Sequence, residues 1–382
     1  MHGMTLPASL RRVPAPVVAA VLLLALSAGQ GAALRATRHA AAPAEAAGET
    51  AGAPPLVAFA TVALGGFRGI LADALWLRAD RLQQERRFVE LVQLSDWITR
   101  LEPDNEDVWA FHAWNMAYNV SFLLSRPDDR WRWVQGGLSL LRDRGLPLNP
   151  GSARLKRELG WIFEHKIGMD GDSAGPFYRT QWAREAGAYL GEDGAPPAEG
   201  SIAADELLAT LRMDPAFMSG IEARYGRIDW RVPAASSLYW AQLALDEGAD
   251  GKEELPCRRM VYQSLAAMAL GDGRLEGDPE EEGWTFRARP ATHLIDAALA
   301  CMEDTMGRTE FSGVRHAYAG LLLDATAVRR AEGREAEARA HYARLAAFLR
   351  ENGVKDGIPP YEKLPPPGDP ALVPLLERAG VL

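Results

Sequence analysis

Two short stretches, LEPDN at residues 101–105 and LNPGS at 148–152, decide how this chain folds. Each one closes a helical pattern of apolar residues and is followed at once by another. Helix pairs cannot bury their apolar faces alone, so they stack on one another and leave a concave groove in which a partner can lie. The two stretches therefore predict stacked helical hairpins, and a function in binding rather than in chemistry.

The composition is that of a folded protein with an acidic surface. Hydrophobic residues make up 48% and charged residues 24% of the 382 residues, far from the composition of a disordered chain. The formal net charge is -9, and no stripe of clustered Lys and Arg is visible. A nucleic-acid surface needs such a stripe to face the phosphates, so we expect no nucleic-acid partner.

The N-terminal segment predicts attachment to a membrane. Arg11 and Arg12 precede an apolar run from Val13 to about Leu34, and about 20 residues suffice to cross a bilayer. The run is longer than the core of a usual secretory peptide, which favours an uncleaved anchor, with a cleaved signal peptide as the alternative. The positive-inside tendency weakly favours an exported body. We therefore expect a single-pass protein of the bacterial inner membrane with its body in the periplasm.

The rest of the chain divides by composition and by helical pattern. Arg68 and Asp73 would lie inside any second membrane span, so a buried or interfacial helix is the better prediction there. The predicted segments are an anchor or signal peptide at 1–38, a flexible Ala/Pro/Gly tether at 39–55, helical repeats at 56–190, an irregular helical region at 191–310, a C-terminal helix pair at 311–352 and a Pro-rich tail at 353–382.

Within the repeats, first helices are predicted to start at Ala72, Glu106 and Ala153. Further helix pairs are predicted at about 234–247 with 253–270 and at about 312–331 with 335–351. Apolar residues at spacings of three and four mark the faces expected to pack. These include Leu75, Ala79, Leu82, Leu91, Leu94, Trp97, Ile98, Trp109, Ala113, Met116, Trp133, Val134, Leu138, Leu141, Leu159, Gly160 and Phe163.

These strings resemble the tetratricopeptide-repeat family over roughly residues 72–190, and more loosely over 312–352. The string LGWIF at 159–163 is the most similar. The chain departs from the family pattern at Arg78, His112 and Lys156, where small or apolar residues are usual. The resemblance implies an all-α solenoid of antiparallel helix pairs. The chain also looks like membrane-anchored bacterial repeat proteins without an assigned activity, which implies scaffolding and no substrate.

The resemblance, with the repeats aligned in this register, also implies a binding groove. In similar proteins extended peptides lie along the first helices, and Trp and Arg suit such a surface because they supply large contact areas and forked hydrogen bonds. The alternative is that the Trp side chains, 11 in the chain, pack in the core. The side chains predicted to face the groove are Trp76, Asp80, Gln84, Trp114, Tyr118, Arg157, Trp161 and His165.

Signals for catalysis or a cofactor are poor. Glu164–His165 lacks the HExxH frame, and MDGDSAG at 169–175 lacks most ligands of a calcium loop, so a solvated turn is the better interpretation. We expect neither an enzyme nor a bound metal or organic cofactor. The enzymatic alternative is a helical barrel that cleaves sugars. It would use Asp229 beside Trp230, or Glu158 with Glu164.

A third hypothesis is a passive subunit of an envelope complex, whose groove is filled by its own Pro-rich tail. The two cysteines, Cys257 and Cys301, are expected to be small buried hydrophobic residues, with a disulfide left open. The favoured hypothesis is an adaptor at the membrane that binds a protein or peptide partner. The sequence leaves its oligomeric state open.

Overall fold

A computed structural model describes residues 72–309, 312–352 and 360–364. The chain divides into two compact units, Met1–Glu85 and Arg86–Leu382. In the first unit, residues 72–84 are helical, and Ala79 and Leu82 are buried as predicted. The expected anchor, the tether and most of the Pro-rich tail lie outside the described residues. Within the described part, no helix is both long enough and apolar enough to cross a membrane.

The second unit is mostly helical, which confirms the all-α prediction for the described residues. Three of its helices continue into π-helical turns. Its first half comprises α1 (Phe88–Leu101), α2 (Glu106–Trp114) with the turn π1 (Asn115–Val120), α3 (Pro127–Ser139) with π2 (Leu140–Gly145), α4 (Leu146–Leu148), α5 (Ala153–Trp161) with π3 (Ile162–Gly168), and α6 (Gly175–Gly187).

The second half contains longer helices and one small hairpin. A short antiparallel pair of strands joins two of the helices, with Leu275 opposite Ala288. The elements are α7 (Ile202–Leu211), α8 (Pro215–Tyr225), α9 (Pro233–Asp246), α10 (Gly251–Leu270), β1 (Arg274–Leu275), β2 (Ala288–Arg289), α11 (Ile295–Met306), α12 (Ser312–Ala331) and α13 (Glu335–Glu351).

The two stretches that predict the hairpins meet in the structure. Asn105 caps α2 by accepting a hydrogen bond from the backbone N–H of Asp107, and Ser152 caps α5 in the same way. The carbonyl of Pro103 accepts one hydrogen bond from the indole of Trp109 at 2.8 Å and another from the side chain of Asn149 at 2.9 Å. The end of one helix pair is therefore bonded directly to the end of the next.

Most helices pack on their neighbours in the chain, and one inserted segment interrupts this order. α1 contacts α2, and α3 packs on π1. α5 then packs on α9, and α9, α10, α11, α12 and α13 follow one another as neighbours. α2 also contacts α5, α5 contacts α10, and α10 contacts α12, so these four helices form one row. The segment from α6 to α8 is inserted between α5 and its packing partner α9.

Two of the three departures from the family pattern lie inside the second unit. Lys156 is buried, and its ammonium donates to the carbonyl of Pro150 at 2.8 Å and pairs with Glu247. His112 is also buried, and burial lowers its pKa to about 4, so its ring is neutral at ordinary pH. Arg78, in the first unit, is exposed.

Most predicted helix starts and packing faces agree with the structure. The pairs at 312–331 and 335–351 coincide with α12 and α13, and the pair at 234–247 and 253–270 overlaps α9 and α10. Trp97 was expected to pack, and this prediction is wrong, since 60% of its side chain is exposed. Helix α11 and the hairpin were not predicted. The two cysteines are free thiols, Cys257 buried and Cys301 half-buried.

A buried carboxylate lies where the inserted segment from α6 to α8 returns to the helix stack. Asp229 accepts hydrogen bonds from Nε and Nη2 of Arg231, both at 2.8 Å, and from the backbone N–H of Leu275 at 2.9 Å. The backbone N–H of Trp230 donates to the carbonyl of Gly194. Gly194 has a φ of +71°, and a Cβ there would lie 2.0 Å from Oδ1 of Asp229. The carboxylate therefore joins the loop before α7, the connector before α9 and strand β1.

Replacement of Asp229 should destabilise the fold much more than replacement of a comparable surface aspartate. We expect Asp229→Asn to lower the free energy of unfolding by about 3 kcal/mol, because it leaves the buried guanidinium of Arg231 without its counter-charge. The matched control is Asp193→Asn, which removes an exposed ion pair with Arg274 and should cost under about 1 kcal/mol. Urea unfolding measures both. Equal losses would contradict the role of this carboxylate.

Candidate functional site

Four of the side chains predicted to line a groove form a continuous row. Trp114 stacks on Tyr118 with 5.7 Å between ring centroids, Tyr118 lies 5.8 Å from the ring of His165, and His165 stacks on Trp161 at 4.9 Å and 10°. We call Trp114, Tyr118, His165 and Trp161 the aromatic row. It crosses from α2 and π1 to α5 and π3, two helices that are neighbours.

The aromatic row is only partly covered by protein. Trp114 and Trp161 each expose 37% of their surface, whereas Tyr118 is half-buried. Most other tryptophans do pack in the core, as the alternative interpretation expects. The buried ones are Trp109, Trp131, Trp182, Trp230, Trp240 and Trp284. The two ends of the row are therefore available to a ligand, unlike the core tryptophans.

The π-helical turns place the two inner rings of the row. Tyr118 lies on π1 and His165 on π3, and these turns contact one another. A π turn holds one more residue per hydrogen-bonded loop than an α turn, and such turns are frequent at functional sites. The wider turn on π3 directs Lys166 and Ile167 into the core, while His165 stays exposed.

A buried cluster of charged side chains lies next to Tyr118 of the aromatic row. Asp172 accepts hydrogen bonds from Nζ of Lys166 at 2.6 Å and from Nη2 of Arg130 at 3.0 Å. The ammonium of Lys166 also lies 5.4 Å from the ring centroid of Tyr118 and 5.8 Å from that of Tyr178. The predicted solvated turn at 169–175 is present, with Asp170 exposed, but the side chain of Asp172 is buried.

Arg157 serves as a bridge between helices. Its Nε donates to Glu253 on α10 at 2.6 Å, and its Nη2 donates to the neighbouring Glu158 at 2.9 Å. Its guanidinium lies beside Trp161 on the wall of a cavity of about 250 Å³. In this position Arg157 holds α5 against α10 and orders the polar wall next to the aromatic row.

The remaining three predicted groove residues belong to the first compact unit. Trp76 is half-buried, and Asp80 and Gln84 are exposed. The side-chain amide of Gln84 donates to Asp80 at 2.8 Å, an i, i+4 pair on one helix face. The aromatic row is confined to the second unit.

Glu164 is the residue of this region that sequence reasoning underused. It lines the cavity of about 250 Å³ beside Trp161 and His165, together with Arg259 and Gln263 from α10. Burial raises the pKa of Glu164 to about 7, against a smaller opposing effect of Arg259. Its Oε2 is buried and has no hydrogen-bond partner among the described residues. The sequence analysis names Glu164 as a candidate acid for sugar cleavage, and its i, i+3 spacing from Trp161 is the signal that places it beside the aromatic row.

Two of the three residues proposed for sugar cleavage, Asp229 and Glu158, have structural partners. Both carboxylate oxygens of Asp229 accept hydrogen bonds from Arg231 or Leu275, and Glu158 pairs with Arg157. In the described ranges, no three His, Cys, Asp or Glu side chains are grouped so that they could hold a metal ion. Asp229 and Glu158 therefore have structural roles, and Glu164 is the proposed acid that has an unpartnered oxygen and lines a cavity.

The C-terminal segment that the structure describes lies on the last helix pair. Arg330 of α12 donates to the carbonyls of Tyr361 and Leu364, at 3.1 and 2.7 Å. Tyr361 is buried, and its hydroxyl donates to Glu335 of α13. Residues 360–364 therefore pack against α12 and α13, and the rest of the tail that was hypothesised to fill the groove lies outside the described residues.

Comparison of the chain with family models, with curated proteins and with solved structures finds no match. The function must therefore be inferred from the geometry of the second unit. Its most informative feature is the aromatic row, with its exposed ends and the cavities next to Glu164.

Glu164 should make the fold less stable as the pH rises. Between its ordinary pKa and the value of about 7 in the folded protein, the native state keeps a proton that the unfolded chain releases, so stability falls as pH increases. The loss should be at most about 3 kcal/mol between pH 5 and pH 8. Urea unfolding of Glu164→Gln should show a smaller fall over this interval. An identical pH dependence in wild type and variant would contradict the assignment.

Proposed function

We propose that this protein is a membrane-anchored adaptor that binds an extended segment of another protein along its aromatic row. The single observation that carries the proposal is the row itself, which joins four rings across two neighbouring helices and exposes both terminal tryptophans. A surface of this kind offers large contact area at low conformational cost, which is typical of protein recognition sites.

We also propose that the body is a solenoid of the tetratricopeptide type. Three observations support this. Helices pack mainly on their neighbours in the chain, and α2, α5, α10 and α12 form one row of first helices. The two predicted joints are bonded to one another through Pro103. Residues 360–364 cover the last helix pair, as terminal segments do in repeat stacks.

A peptide is the ligand class that the proposed groove suits best. The aromatic row follows the direction from one first helix to the next, so an extended chain can contact all four rings in turn. Peptides that lie on such aromatic surfaces gain affinity from packing at few positions and need no chemical step. Polar side chains next to the row, among them Arg157 and Gln263, can bond the peptide backbone.

Attachment to the inner membrane by residues 1–38, with a periplasmic body, remains part of the proposal. It rests on the uncharged centre of the N-terminal apolar run, VVAAVLLLALSA. Tethering would raise the local concentration of the adaptor near partners at the membrane, and the tether at 39–55 would let the body reach them.

Removal of the exposed rings should abolish partner capture and leave the fold intact. We expect Trp114→Ala with Trp161→Ala to lose the proteins that co-purify with the wild type from detergent-solubilised membranes, because each change removes an exposed contact surface. The matched control is Trp97→Ala, which removes a more exposed tryptophan outside the row. Circular dichroism should be unchanged for both variants. Capture of the same partner proteins by the control and by the double variant would contradict the proposal.

The anchor has its own test. We expect the full chain to stay in the membrane pellet after extraction at alkaline pH, since a spanning helix is held by burial of about 20 apolar residues. A chain that lacks residues 1–38 should be recovered in the supernatant. Appearance of the full chain in the supernatant, or of a mature form shortened near residue 30, would favour the cleaved signal peptide instead.

A further inference from the structure

A second cavity opens next to the aromatic row. It has a volume of about 560 Å³ and is bounded by the end of π3, the start of α9, and by α10, α11 and α12. We call it the carboxylate cleft. Its walls are mainly apolar, with Met169, Leu270, Met302 and Leu321 among the lining residues. Glu164 and Gln263 border both this cleft and the smaller cavity beside Trp161.

The carboxylate cleft contains polar groups that lack partners within the protein. Glu164 lines it from π3, and its buried Oε2 accepts no hydrogen bond from the described residues. Ser264 lines it from α10, is fully buried, and its hydroxyl is likewise unpartnered there. Asp324 also lines the cleft, from α12, as a half-buried carboxyl group. Buried polar atoms normally have partners, so the two unpartnered atoms of Glu164 and Ser264 at one cavity indicate a missing ligand.

The charges around the cleft favour a cation. Glu164, Asp272 and Asp324 contribute three carboxyl groups, and Arg179 is the cation among the lining residues. The guanidinium of Arg179 donates to the carbonyl of Gly168 and to Asp170, so it is held at the rim. Arg259 faces Glu164 from the neighbouring cavity.

We propose that the carboxylate cleft binds the side chain of a lysine from the docked polypeptide. The inference rests on the proposed function, because the lysine belongs to the segment that lies along the aromatic row. The apolar walls would receive the four-carbon stem, and the ammonium would lie among Glu164, Asp324 and the hydroxyl of Ser264. The formal net charge of -9 favours a basic partner of this kind through attraction at longer range.

Lysine suits the cleft better than arginine. An ammonium group has three donors that point in different directions, and it can bond three acceptors on different walls. The acceptors here come from π3, α10 and α12. A guanidinium is planar and prefers one carboxylate in a forked pair, or an aromatic face on which to stack.

Proton release should accompany binding. Burial raises the pKa of Asp324 to about 6 and that of Glu164 to about 7, so both carboxyl groups are largely protonated at pH 5. The groups that face them are Arg259 and Tyr262 from α10 and Tyr118 from π1, with Arg179 and Asp272 at the rim. Arg259 favours the ionised form of Glu164, yet burial outweighs it. Binding of an ammonium should therefore strengthen as the pH rises.

The test uses Nα-acetyl-lysine amide as the probe and the methyl groups of methionine as reporters. Met169 and Met302 line the cleft, so their ¹³C-methyl signals report occupancy directly. We expect saturable shifts of both signals, with a Kd of about 1–10 mM for so small a ligand. The norleucine analogue, which has the stem without the ammonium, should bind at least about fivefold more weakly. Affinity for the lysine probe should rise about tenfold or more from pH 5 to pH 8.

Single substitutions show which residues of the cleft bind the lysine probe. Asp324→Asn and Glu164→Gln should each weaken the lysine probe about fivefold or more, whereas Asp205→Asn, a change at an exposed carboxylate of α7, should have no effect. The probe is a single residue, so its affinity is measured apart from capture of a partner protein, and loss of one result without the other separates this inference from the adaptor proposal. Equal affinity of the lysine and norleucine probes, or absence of shifts at Met169 and Met302 in the wild type, would overturn the assignment.

Discussion

The aromatic row depends on one buried ion cluster. Asp172 takes hydrogen bonds from both Lys166 and Arg130, so one carboxylate faces two cations. Burial tends to raise the pKa of Asp172, but the hydrogen bonds from Lys166 and the N–H of Ala174, with both positive charges, lower it below its usual value. The carboxylate is therefore charged at neutral pH, and the remaining positive charge lies against the faces of Tyr118 and Tyr178. The packing of π3 on α6, the hydrogen bond from Arg130 of α3 to the turn between them, and the position of the row are therefore coupled.

The helical hairpins were predictable because their signals are local. Pro103 and Pro150 each follow an apolar pattern with period 3.6, and the caps that start the next helices, Asn105 and Ser152, lie two residues beyond. The same holds for α12 and α13, which are separated by Gly333 with a φ of +75°. In such places the backbone hydrogen bonds and the side chain that completes them are close in sequence, so neither depends on distant parts of the chain.

The site was predictable only in part, because its geometry depends on contacts between distant residues. Spacing placed Trp114, Tyr118, Trp161 and His165 on first helices, but it contained no signal for the π turns that bring Tyr118 to His165. Spacing also failed for Trp97, because it predicted that this side chain is buried, whereas it is exposed. Because the segment from α6 to α8 is inserted, the helix that packs on α5 is α9 and not the next helix in the chain, and the sequence contained no signal for this. Neither the role of Asp229 as a tie nor the cleft next to Glu164 exists until those helices meet.

Glu164 links the two halves of the proposed groove. It lines both the cavity beside Trp161 and the carboxylate cleft, so a segment bound as we propose along the aromatic row would lie near its carboxyl group. An apolar, aromatic surface alone discriminates weakly among peptides, because most of its energy comes from contact area. A partly desolvated carboxyl group changes this, since a partner without a cation must leave it protonated or unpaired. The rings would then supply most of the affinity, and Glu164 with Asp324 would supply the selectivity.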